Sequence, residues 1–285
     1  AVKLKPVRVV MDKVMGIDHR RVFPKYAHGT FTSWYRKHAA AAQEAFPKQV
    51  AYFHGCYVNY NNPQLGKDLL RIMNALGYGV QLLDEEKCCG VALISNGLYK
   101  QARRQAETNL RSIRTSVKGR ALDVITTSST CTFTLRDEYP HLLDLENADV
   151  RDHIELATRY LYRLLQTGEA KLRFKDTTPL RVAYHTPCHM EKMGWGYYSI
   201  ELLRMIPGVE VTVLDSQCCG IGGTYGFKKE NYEASQAIGA PLFRQIEASG
   251  ADLVATDCET CKWQIEMSTT KPCEHPLHIL ASRLA

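Results

Sequence analysis

The cysteines of this sequence recur at one fixed interval, and that interval restricts the fold more than any other feature. The pair Cys88-Cys89 is followed by glycine, and it recurs 130 residues later as Cys218-Cys219, again followed by glycine. From Cys89 to position 128 there are 38 intervening residues, and from Cys219 to position 258 there are also 38. A spacing held over this length indicates two copies of one folding unit.

The two copies differ in their last cysteine pair. Repeat two ends in Cys-Glu-Thr-Cys at 258–261, whereas repeat one has Ser-Ser-Thr-Cys at 128–131, so Ser128 stands where Cys258 stands. The candidate ligands of repeat one are Cys56, Cys88, Cys89 and Cys131. Those of repeat two are Cys188, Cys218, Cys219, Cys258 and Cys261.

Each copy alternates β-rich runs with amphipathic helical runs. This pattern predicts an α/β fold of two tandem, pseudo-symmetric Rossmann-like βαβαβ units with parallel sheets. The carboxyl ends of parallel strands meet at one edge, where ligands bind, and the repeat cysteines follow the predicted strands. Three loops of each copy are therefore expected to converge. The expected domains are a basic helical arm at 1–48, repeat one at 49–170 and repeat two at 171–285.

The segments around the strands give four further expectations. A helix is predicted in the arm from Ser33, as its N-cap, to Phe46, because Pro47 ends it. Residues 150–166 are predicted to form one amphipathic helix, with a shorter counterpart after Cys273, and residues 167–179 are predicted to form the linker. Cys273 has no counterpart in repeat one, so we expect it to be a buried packing residue.

Composition limits the possible classes of protein. The chain has 285 residues, 45% of them hydrophobic and 23% charged, and no apolar run approaches a membrane span. No signal peptide opens the sequence, which argues against secretion. The net charge of +6 arises at the start: residues 1–50 carry ten Lys and Arg against three Asp and Glu. A solvated face, an amphipathic helix on an anionic membrane surface and a partner-docking segment all fit this arm, whereas no basic stripe indicates nucleic-acid binding.

Thiols clustered in a chain of the reducing cytosol are more often metal ligands than disulfides. Structural zinc takes four ligands, so the five thiols of repeat two exceed its needs. Adjacent cysteines also bridge poorly to each other. The sequence therefore favours an iron–sulfur cluster in repeat two over zinc, a disulfide or free thiols. For the four thiols of repeat one, a cluster, zinc and an empty site all remain open.

The two motifs resemble a known family. They are Cys-x₃₁-Cys-Cys-Gly-x₃₇-Ser-x₂-Cys and Cys-x₂₉-Cys-Cys-Gly-x₃₇-Cys-x₂-Cys. They are similar to the paired CCG repeats of the family of heterodisulfide reductase B subunits, shared with iron–sulfur subunits of complexes that oxidise glycolate, lactate or, anaerobically, glycerol 3-phosphate. The stretches most similar to the glycerol-3-phosphate branch are 53–60, 128–133, 151–159, 185–194 and 215–231.

The resemblance implies an electron-transfer subunit that is not catalytic alone. It would take electrons from flavoprotein dehydrogenase subunits and pass them to membrane quinone, in the cytoplasm and peripheral on the cytoplasmic face of the inner membrane. It also implies a non-cubane [4Fe–4S] cluster in repeat two, and a second [4Fe–4S] cluster or zinc in repeat one. Family members normally carry a preceding ferredoxin-type domain. Its cysteine motif is not found in these residues, so we expect that domain to have been cut away.

Three rival functions stay open on the sequence: a cluster-dependent thiol–disulfide reductase of the heterodisulfide type, the iron–sulfur subunit of a glycolate or lactate oxidase, and a zinc-stabilised scaffold. The histidines beside the cysteines are expected to form hydrogen bonds rather than bind metal; they are His54, His185 and His189. Five aromatic residues of repeat two are expected to pack in the core, with a quinone pocket as the alternative; they are Trp195, Tyr197, Tyr198, Tyr225 and Phe227.

Overall fold

Two four-stranded parallel sheets form the body of the protein in the computed structural model, which describes residues 4–168, 170–175 and 177–285. Residues 1–3 of the predicted arm, with Lys3, lie outside the described residues, as do positions 169 and 176 of the predicted linker. The strands of the first sheet are β1 (Lys48–Phe53), β2 (Tyr78–Leu82), β3 (Val124–Thr126) and β4 (Ile154–Leu156). Those of the second sheet are β5 (Leu180–Tyr184), β6 (Val209–Val213), β7 (Leu253–Ala255) and β8 (Cys273–Glu274).

Helices connect the strands and form the arm. The arm contains α1 (Lys5–Met15), α2 (Phe31–His38) and α3 (Ala40–Glu44). Repeat one contains α4 (Gly55–Tyr60), α5 (Pro63–Ala75), α6 (Val91–Ile94), α7 (Tyr99–Arg114), α8 (Ser129–Phe133), α9 (Tyr139–Leu143) and α10 (Ala157–Gln166). Repeat two contains α11 (Cys188–Met193), α12 (Gly196–Arg204), α13 (Tyr232–Ala248), α14 (Glu259–Ser268) and α15 (Pro276–Arg283). Two π-helical segments, Thr115–Gly119 and Thr134–Glu138, continue α7 and α8.

The strand order is the same in both sheets. It is β2-β1-β3-β4 in repeat one and β6-β5-β7-β8 in repeat two, and all neighbours run parallel. The central strand β1 is buried on both faces, with Val50, Ala51, Tyr52 and Phe53 at most 1% exposed, as expected of a parallel strand covered by helices on both sides. The predicted fold class, two tandem parallel α/β units, is confirmed.

A fourth strand in each repeat was not predicted, and the helix predicted over 150–166 is wrong in its first part. Residues 154–156 form β4, and the helix begins only at Ala157. Glu155 at the centre of β4 is 3% exposed, and its carboxylate pairs with Arg159 and Arg163 of α10. Glu155, Arg159 and Arg163 follow one another at intervals of four residues, which is typical of a helix. The sequence pattern therefore indicated a helix where a strand of three residues occurs.

The arm helix also differs from the prediction. Its N-cap is Thr30 rather than Ser33: the Thr30 hydroxyl accepts a hydrogen bond from the Ser33 amide at 3.1 Å. The helix starts three residues early because Phe31 is fully buried against repeat one, where its ring would lie 2.5 Å from a Cβ at Gly66. It does not run unbroken to Phe46, since α2 ends at His38 and α3 follows from Ala40.

One hydrophobic core belongs to both repeats. It contains Val50, Tyr52 and Leu69 of repeat one together with Val182 and Leu280 of repeat two. Two further clusters lie one in each repeat, and the buried repeat cysteines pack against them. The repeats therefore form one body, in which α5 and α10 face α15 and α12 across the shared core.

The arm contacts both repeats. The Tyr35 hydroxyl of α2 donates to the Val80 carbonyl of β2 at 2.6 Å, which fastens the arm to repeat one. Nearer its start, Ile17 pairs in an antiparallel bridge with Lys228, and the Asp18 amide donates to the Phe227 carbonyl of repeat two. Among the described residues, no helix combines the length and the apolar character that crossing a bilayer requires.

An ion pair crosses the shared core boundary and leads to a prediction about pH. His278 Nδ1 of α15 lies 2.6 Å from Asp68 Oδ2 of α5, and that hydrogen bond raises the pKa of His278. A raised histidine pKa stabilises the folded chain below the unfolded pKa, and the contribution is lost as pH rises through the folded pKa. His278→Gln should therefore lower the free energy of unfolding near pH 5.5 by at most about 1 kcal/mol, because solvent screens this half-exposed pair.

At pH 9 the same substitution should have almost no effect, because His278 is neutral there in the wild-type chain. Urea unfolding at the two pH values measures the change in the free energy of unfolding in each case. The exposed His28 provides the control, since His28→Gln removes a histidine that does not cross the interface. An equal loss at both pH values would show that packing, and not the charge on His278, sets the effect.

Candidate metal centres

Three loops of repeat one bring four thiols to the carboxyl edge of its sheet. Cys56 lies in α4 after β1, Cys88 and Cys89 lie in the loop after β2, and Cys131 lies in α8 after β3. The Cys88 and Cys56 sulfurs are 3.8 Å apart, and the Cys89 thiol is hydrogen-bonded to the Cys88 and Cys131 thiols. We refer to these four cysteines as site one.

The same three loops of repeat two bring five thiols together, and these form site two. Cys188 opens α11, Cys218 and Cys219 follow β6, and Cys258 is the N-cap residue of α14, which carries Cys261. The Cys219 and Cys261 sulfurs are 3.3 Å apart, and the Cys258 thiol is hydrogen-bonded to the Cys261 thiol. The Gly220 amide donates to the Cys218 sulfur at 3.3 Å. Cys273, in contrast, is fully buried in β8.

In both sites the cysteines range from exposed to buried. Cys56 of site one and Cys188 of site two, which follow the first strands of their repeats, are exposed. Cys89 and Cys131 are buried in site one, as are Cys219, Cys258 and Cys261 in site two. Each site is thus a half-open cup, with a protein floor and a face to which another group has access.

Glycine after the paired cysteines is a steric requirement in site two. Gly220 has φ +84°, and a Cβ on it would lie 2.0 Å from the Ser235 carbonyl oxygen of α13. A side chain there is excluded both by the left-handed backbone and by the close approach of α13. The glycine therefore lets the loop that holds Cys218 and Cys219 lie directly on the helix behind it.

The two sites adjoin each other. The Ser129 amide and hydroxyl both donate to the Asp257 carbonyl at 2.9 Å, which joins the last loop of each repeat. The Thr130 hydroxyl of repeat one lies 3.7 Å from the Cys258 sulfur of site two. The Tyr57 and Trp263 rings meet edge to face at 5.7 Å, each close in sequence to a candidate ligand. Groups bound at the two sites would be neighbours.

Two carboxyl groups lie beside site one. Glu86 accepts hydrogen bonds from the amides of Gly55 at 2.7 Å and His54 at 3.0 Å, yet burial raises its pKa to about 8. Glu259, although it belongs to repeat two, accepts a hydrogen bond from the Ser128 hydroxyl, and burial raises its pKa to about 7. The surroundings of site one therefore differ from those of site two.

The thiols of each site influence one another. Hydrogen bonds from Cys56 and Cys89 lower the pKa of Cys88 to about 3, and bonds from Cys218 and Cys261 likewise lower the pKa of Cys219. The thiolate is the form that binds metals. Each adjacent cysteine pair thus contains one sulfur already stabilised in its metal-binding form.

Ser128 acts as a helix cap. Its hydroxyl accepts a hydrogen bond from the Cys131 amide at 3.2 Å and donates to Glu259 Oε2 at 3.0 Å. Cys258, at the corresponding position of α14, makes no such capping bond. The Ser128 hydroxyl therefore caps a helix at the position where repeat two has the Cys258 sulfur.

The histidines next to the cysteines are packed among other groups. Both ring nitrogens of His54 are occupied, Nε2 by the Thr32 hydroxyl at 3.1 Å and Nδ1 by the Gly55 carbonyl at 3.0 Å. His189 Nδ1 lies 3.1 Å from the Thr130 hydroxyl, and its ring stacks on Phe133. His185 is 2% exposed, and burial lowers its pKa.

None of the five aromatic residues of repeat two is buried in the core, so the expectation of core packing is wrong. Trp195 lies beneath the guanidinium groups of Arg136 and Arg159, 4.9 and 4.5 Å from the ring centre. Tyr197 and Tyr198 pack with Tyr162 at ring distances of 5.7 Å. Tyr225 is 43% exposed, and Phe227 packs on Phe23 at 5.8 Å.

The spread of the sulfurs bears on what the sites can hold. A tetrahedral zinc site with Zn–S bonds of about 2.3 Å needs its sulfurs about 3.8 Å apart in every pair. Within the described residues, the one trio of potential ligand atoms lying within 4.8 Å of one another is Asp12, Asp18 and His19, and it contains no cysteine. Five thiols arranged around a wider cup fit a cluster of several iron atoms better than a single ion.

Three residues of the two sites were missed in the sequence: Glu86, Glu259 and Arg21. Register 130 places Ser216 and Ser129 opposite the two glutamates, so the duplication gave no sign of them. Glu259 lies within the Cys-Glu-Thr-Cys motif, and an acidic residue between two ligands was the available signal. Arg21 comes from the arm, 243 residues before Gln264, to which it donates a hydrogen bond.

Comparison with known proteins agrees with the duplication. The profile of the family described as CCG, cysteine-rich domain, matches residues 50–136 and 182–266. Over all 285 residues, the chain is 66% identical to the C subunit of anaerobic glycerol-3-phosphate dehydrogenase from Escherichia coli strain K12, and it covers 71% of that protein.

More distant relatives match about three quarters of the chain. The D subunit of the dihydromethanophenazine:CoB–CoM heterodisulfide reductase of Methanosarcina barkeri is 30% identical over 223 residues, which are 75% of this chain and 52% of that protein. An uncharacterised iron–sulfur protein of Methanocaldococcus jannaschii is 28% identical over 225 residues, which are 77% of this chain and 41% of that protein.

The difference between Cys258 and Ser128 leads to a prediction about metal content. Cys258→Ser should remove most of the iron and acid-labile sulfide of site two, because a serine hydroxyl is a hard, weakly acidic donor for iron. Ser128→Ala should leave iron content nearly unchanged and instead lower the free energy of unfolding by about 1 kcal/mol, because it removes a helix cap.

Iron, zinc and sulfide per chain, measured on protein purified without oxygen, check both variants. The two substitutions occupy corresponding positions, so each serves as the control for the other. Full iron retention in Cys258→Ser would show that site two does not need its fifth thiol, and iron loss in Ser128→Ala would assign the hydroxyl to the metal.

Proposed function

The chain belongs to the family with two cysteine-rich domains that includes the C subunit of anaerobic glycerol-3-phosphate dehydrogenase, and on that premise we propose that it is the iron–sulfur electron-transfer subunit of such a complex. In this role it takes electrons from the flavin-containing dehydrogenase subunits and passes them on to membrane quinone. The relatives named as iron–sulfur proteins support iron–sulfur clusters as its cofactors. It has no part in the oxidation of glycerol 3-phosphate itself.

The observation that carries this proposal is the pair of adjoining, half-open cysteine sites. Nine thiols on six loops reach the same region, and Thr130 of one repeat approaches Cys258 of the other. Site two fits a [4Fe–4S] cluster bound by Cys188, Cys218, Cys219, Cys258 and Cys261. Site one, with Cys56, Cys88, Cys89 and Cys131, fits either a second [4Fe–4S] cluster or zinc.

A bound cluster supplies one-electron chemistry, since it accepts and releases single electrons without a substrate bond being made or broken. The residues of this chain control the access of a partner to each site and the exposure of the site to water. Exposed Cys56 and Cys188 leave each site accessible from one side, which suits exchange with a partner. Buried Cys89, Cys131, Cys219 and Cys261 keep the other side out of water.

The proposal predicts which partner reduces the protein. When the full chain, purified without oxygen, is mixed with the flavoprotein dehydrogenase subunits, glycerol 3-phosphate should bleach its visible absorbance. Glycerol 3-phosphate without those subunits should not, because in this proposal the oxidation of the substrate belongs to them. A stopped-flow absorbance record measures both cases.

Lactate and glycolate with their own dehydrogenases are the matched controls, and a disulfide added to the reduced chain tests the reductase alternative. Bleaching by lactate or glycolate but not by glycerol 3-phosphate would overturn the choice of donor. A colourless chain that contains zinc and no iron would overturn electron transfer as a whole.

A peripheral position on the cytoplasmic face of the inner membrane is part of the same proposal, and α1 supports it. One face of this helix is held to repeat two through Asp12, which receives a hydrogen bond from Lys229 at 2.5 Å. On the opposite face Val10 and Val14 are 60% and 78% exposed. Apolar side chains beside basic ones, within a segment of positive balance, suit an anionic membrane surface.

Binding to lipid vesicles tests this surface. The double substitution Val10→Asp and Val14→Asp should reduce binding of the chain to anionic vesicles at least tenfold, and 1 M salt should weaken wild-type binding, because screening shortens to about 3 Å there. Co-sedimentation with phosphatidylglycerol vesicles measures both. These substitutions test the surface of α1 more specifically than deletion of residues 1–25, which would also remove Arg21.

The matched control is Leu142→Asp with Ile238→Asp, which places two charges on exposed apolar residues outside the arm. Its binding should equal that of the wild type. Undiminished binding by the α1 variant would remove the membrane role from the arm.

A further inference from the structure

Arg21 is a buried cation without an ionic partner among the described residues. Its side chain is 1% exposed. Nη1 donates to Gln264 Oε1 at 2.5 Å and Nη2 donates to the Ser235 hydroxyl at 2.9 Å, so both acceptors are neutral. Nε is buried and has no hydrogen-bond partner, and within the described parts of the chain no carboxylate lies within ion-pairing distance of this guanidinium.

Two carboxylates beside this part of the arm are bound by Arg20. Asp18 accepts hydrogen bonds from Arg20 Nε at 2.9 Å and Nη2 at 2.8 Å. Glu233 accepts from Arg20 Nη1 at 2.7 Å. The ring of Tyr232 lies 4.6 Å from the Arg21 guanidinium and provides only a weak cation–π contact. The arm therefore gives Arg21 no direct ionic partner among the described residues.

A buried charge without a counter-charge is one of the most unfavourable arrangements in a folded protein. Burial accordingly lowers the pKa of Arg21, and the groups that oppose this effect are Tyr232, Asp18 and, on the side of site two, Cys219. Arginine remains protonated even when buried. A negative group on the far side of the guanidinium is therefore required to balance it.

The partners of Arg21 place it directly behind site two. Gln264 is three residues beyond Cys261 on α14. Ser235 is the residue whose carbonyl oxygen lies 2.0 Å from a Cβ built on Gly220, so it supports the loop of Cys218 and Cys219. The Arg21 guanidinium also lies 3.1 Å from a Cβ built on Gly226, in the loop that follows. The cation thus contacts α14, which carries Cys261, and α13, against which the loop of Cys218 and Cys219 lies.

We propose that Arg21 is the counter-charge of the iron–sulfur cluster in site two, and that it raises the reduction potential of that cluster. A cluster held by five thiolates is anionic, and each added electron makes it more so. A fixed cation behind it stabilises the reduced form more than the oxidised form. This inference rests on the iron–sulfur binding proposed above for site two.

Among the described residues, site one has no such cation at the corresponding place. Register 130 puts Gln105 where repeat two has Ser235 and Thr134 where it has Gln264. Within the described part of the chain, the Gln105 Oε1 has no hydrogen-bond partner, and the Thr134 hydroxyl donates to Glu138 at 2.6 Å, so no arginine is bound there. The carboxyl group of Glu86 lies beside site one instead, whereas Glu259 lies between the two sites. The arm therefore adds a positive charge to one of two otherwise similar sites, which makes site two the better electron acceptor.

The test is a redox titration of the full chain, purified without oxygen and followed by electron paramagnetic resonance. Arg21→Gln keeps a side chain able to bond Ser235 and Gln264 but removes the charge. At a fixed ambient potential it should lower the ratio of reduced to oxidised cluster in site two at least tenfold, which is about 59 mV for a one-electron couple. Arg21→Lys, which keeps the charge, should remain near the wild type.

Lys25→Gln is the matched control, because it removes one positive charge from an exposed position of the same arm. It should leave the titration unchanged. The proposal is overturned if Arg21→Gln holds wild-type iron and titrates like the wild type. It is also overturned if Arg21→Lys lowers the ratio of reduced to oxidised cluster as much as Arg21→Gln does. A wild-type chain that binds no iron would overturn the proposed function instead.

Unfolding measurements keep the proposal testable if Arg21→Gln loses its cluster during purification. Urea unfolding of the full chain is compared between wild type and Arg21→Gln, once without iron and once after cluster reconstitution. The substitution should lower the midpoint more in the reconstituted chain than in the iron-free chain, because the bound cluster adds negative charge beside the cation. An equal decrease in both states would assign Arg21 a purely structural role and overturn the proposal.

Discussion

The arrangement of the two sites depends on Asp257, a fully buried carboxylate at the meeting point of the repeats. Its side chain accepts hydrogen bonds from the hydroxyls of Tyr184 at 2.7 Å, Ser199 at 3.1 Å and Thr158 at 3.1 Å, and its carbonyl accepts two from Ser129. Tyr184 and Ser199 come from repeat two, whereas Thr158 and Ser129 come from repeat one. The buried carboxyl group is tolerated because these contacts are all donors, and the bonds from Ser129 join the last cysteine loops of the two repeats.

Duplication produced two sites with one backbone and two electrostatic settings. The strand order and the positions of the loops are the same in both repeats, so the thiols arrive at equivalent places. The residues around them have no such symmetry: Glu86 lies beside site one, Glu259 lies between the sites, and Arg21 lies behind site two. A common scaffold with different neighbouring charges allows two similar groups to differ in their affinity for electrons.

The sequence predicted the fold correctly where the same pattern occurs in both repeats. The parallel sheets, their alternation with helices and the placement of the cysteines at one edge all followed from spacing and periodicity. It failed for β4, because three residues are too few for a period and Glu155 pairs along the next helix. It also failed for the arm helix, whose start is set by the burial of Phe31 against Gly66. Of the charged residues near the sites, only Glu259 had a signal in the sequence, its place between two candidate ligands. Arg21 had none, since its contact with Gln264 joins distant parts of the chain.

The path of the arm has a consequence for how the molecule is made. Arg21 is synthesised long before its partners Ser235 and Gln264, which leave the ribosome more than two hundred residues later. Repeat one can close over Phe31 and Tyr35 while translation continues, but the start of the arm has no docking surface until residues 227–229 have emerged, and Arg21 has no Gln264 until α14 follows. Contacts of such long separation are slow to form and come last. The final folding step therefore coincides with the completion of site two, which links the maturation of that site to the synthesis of the last helices.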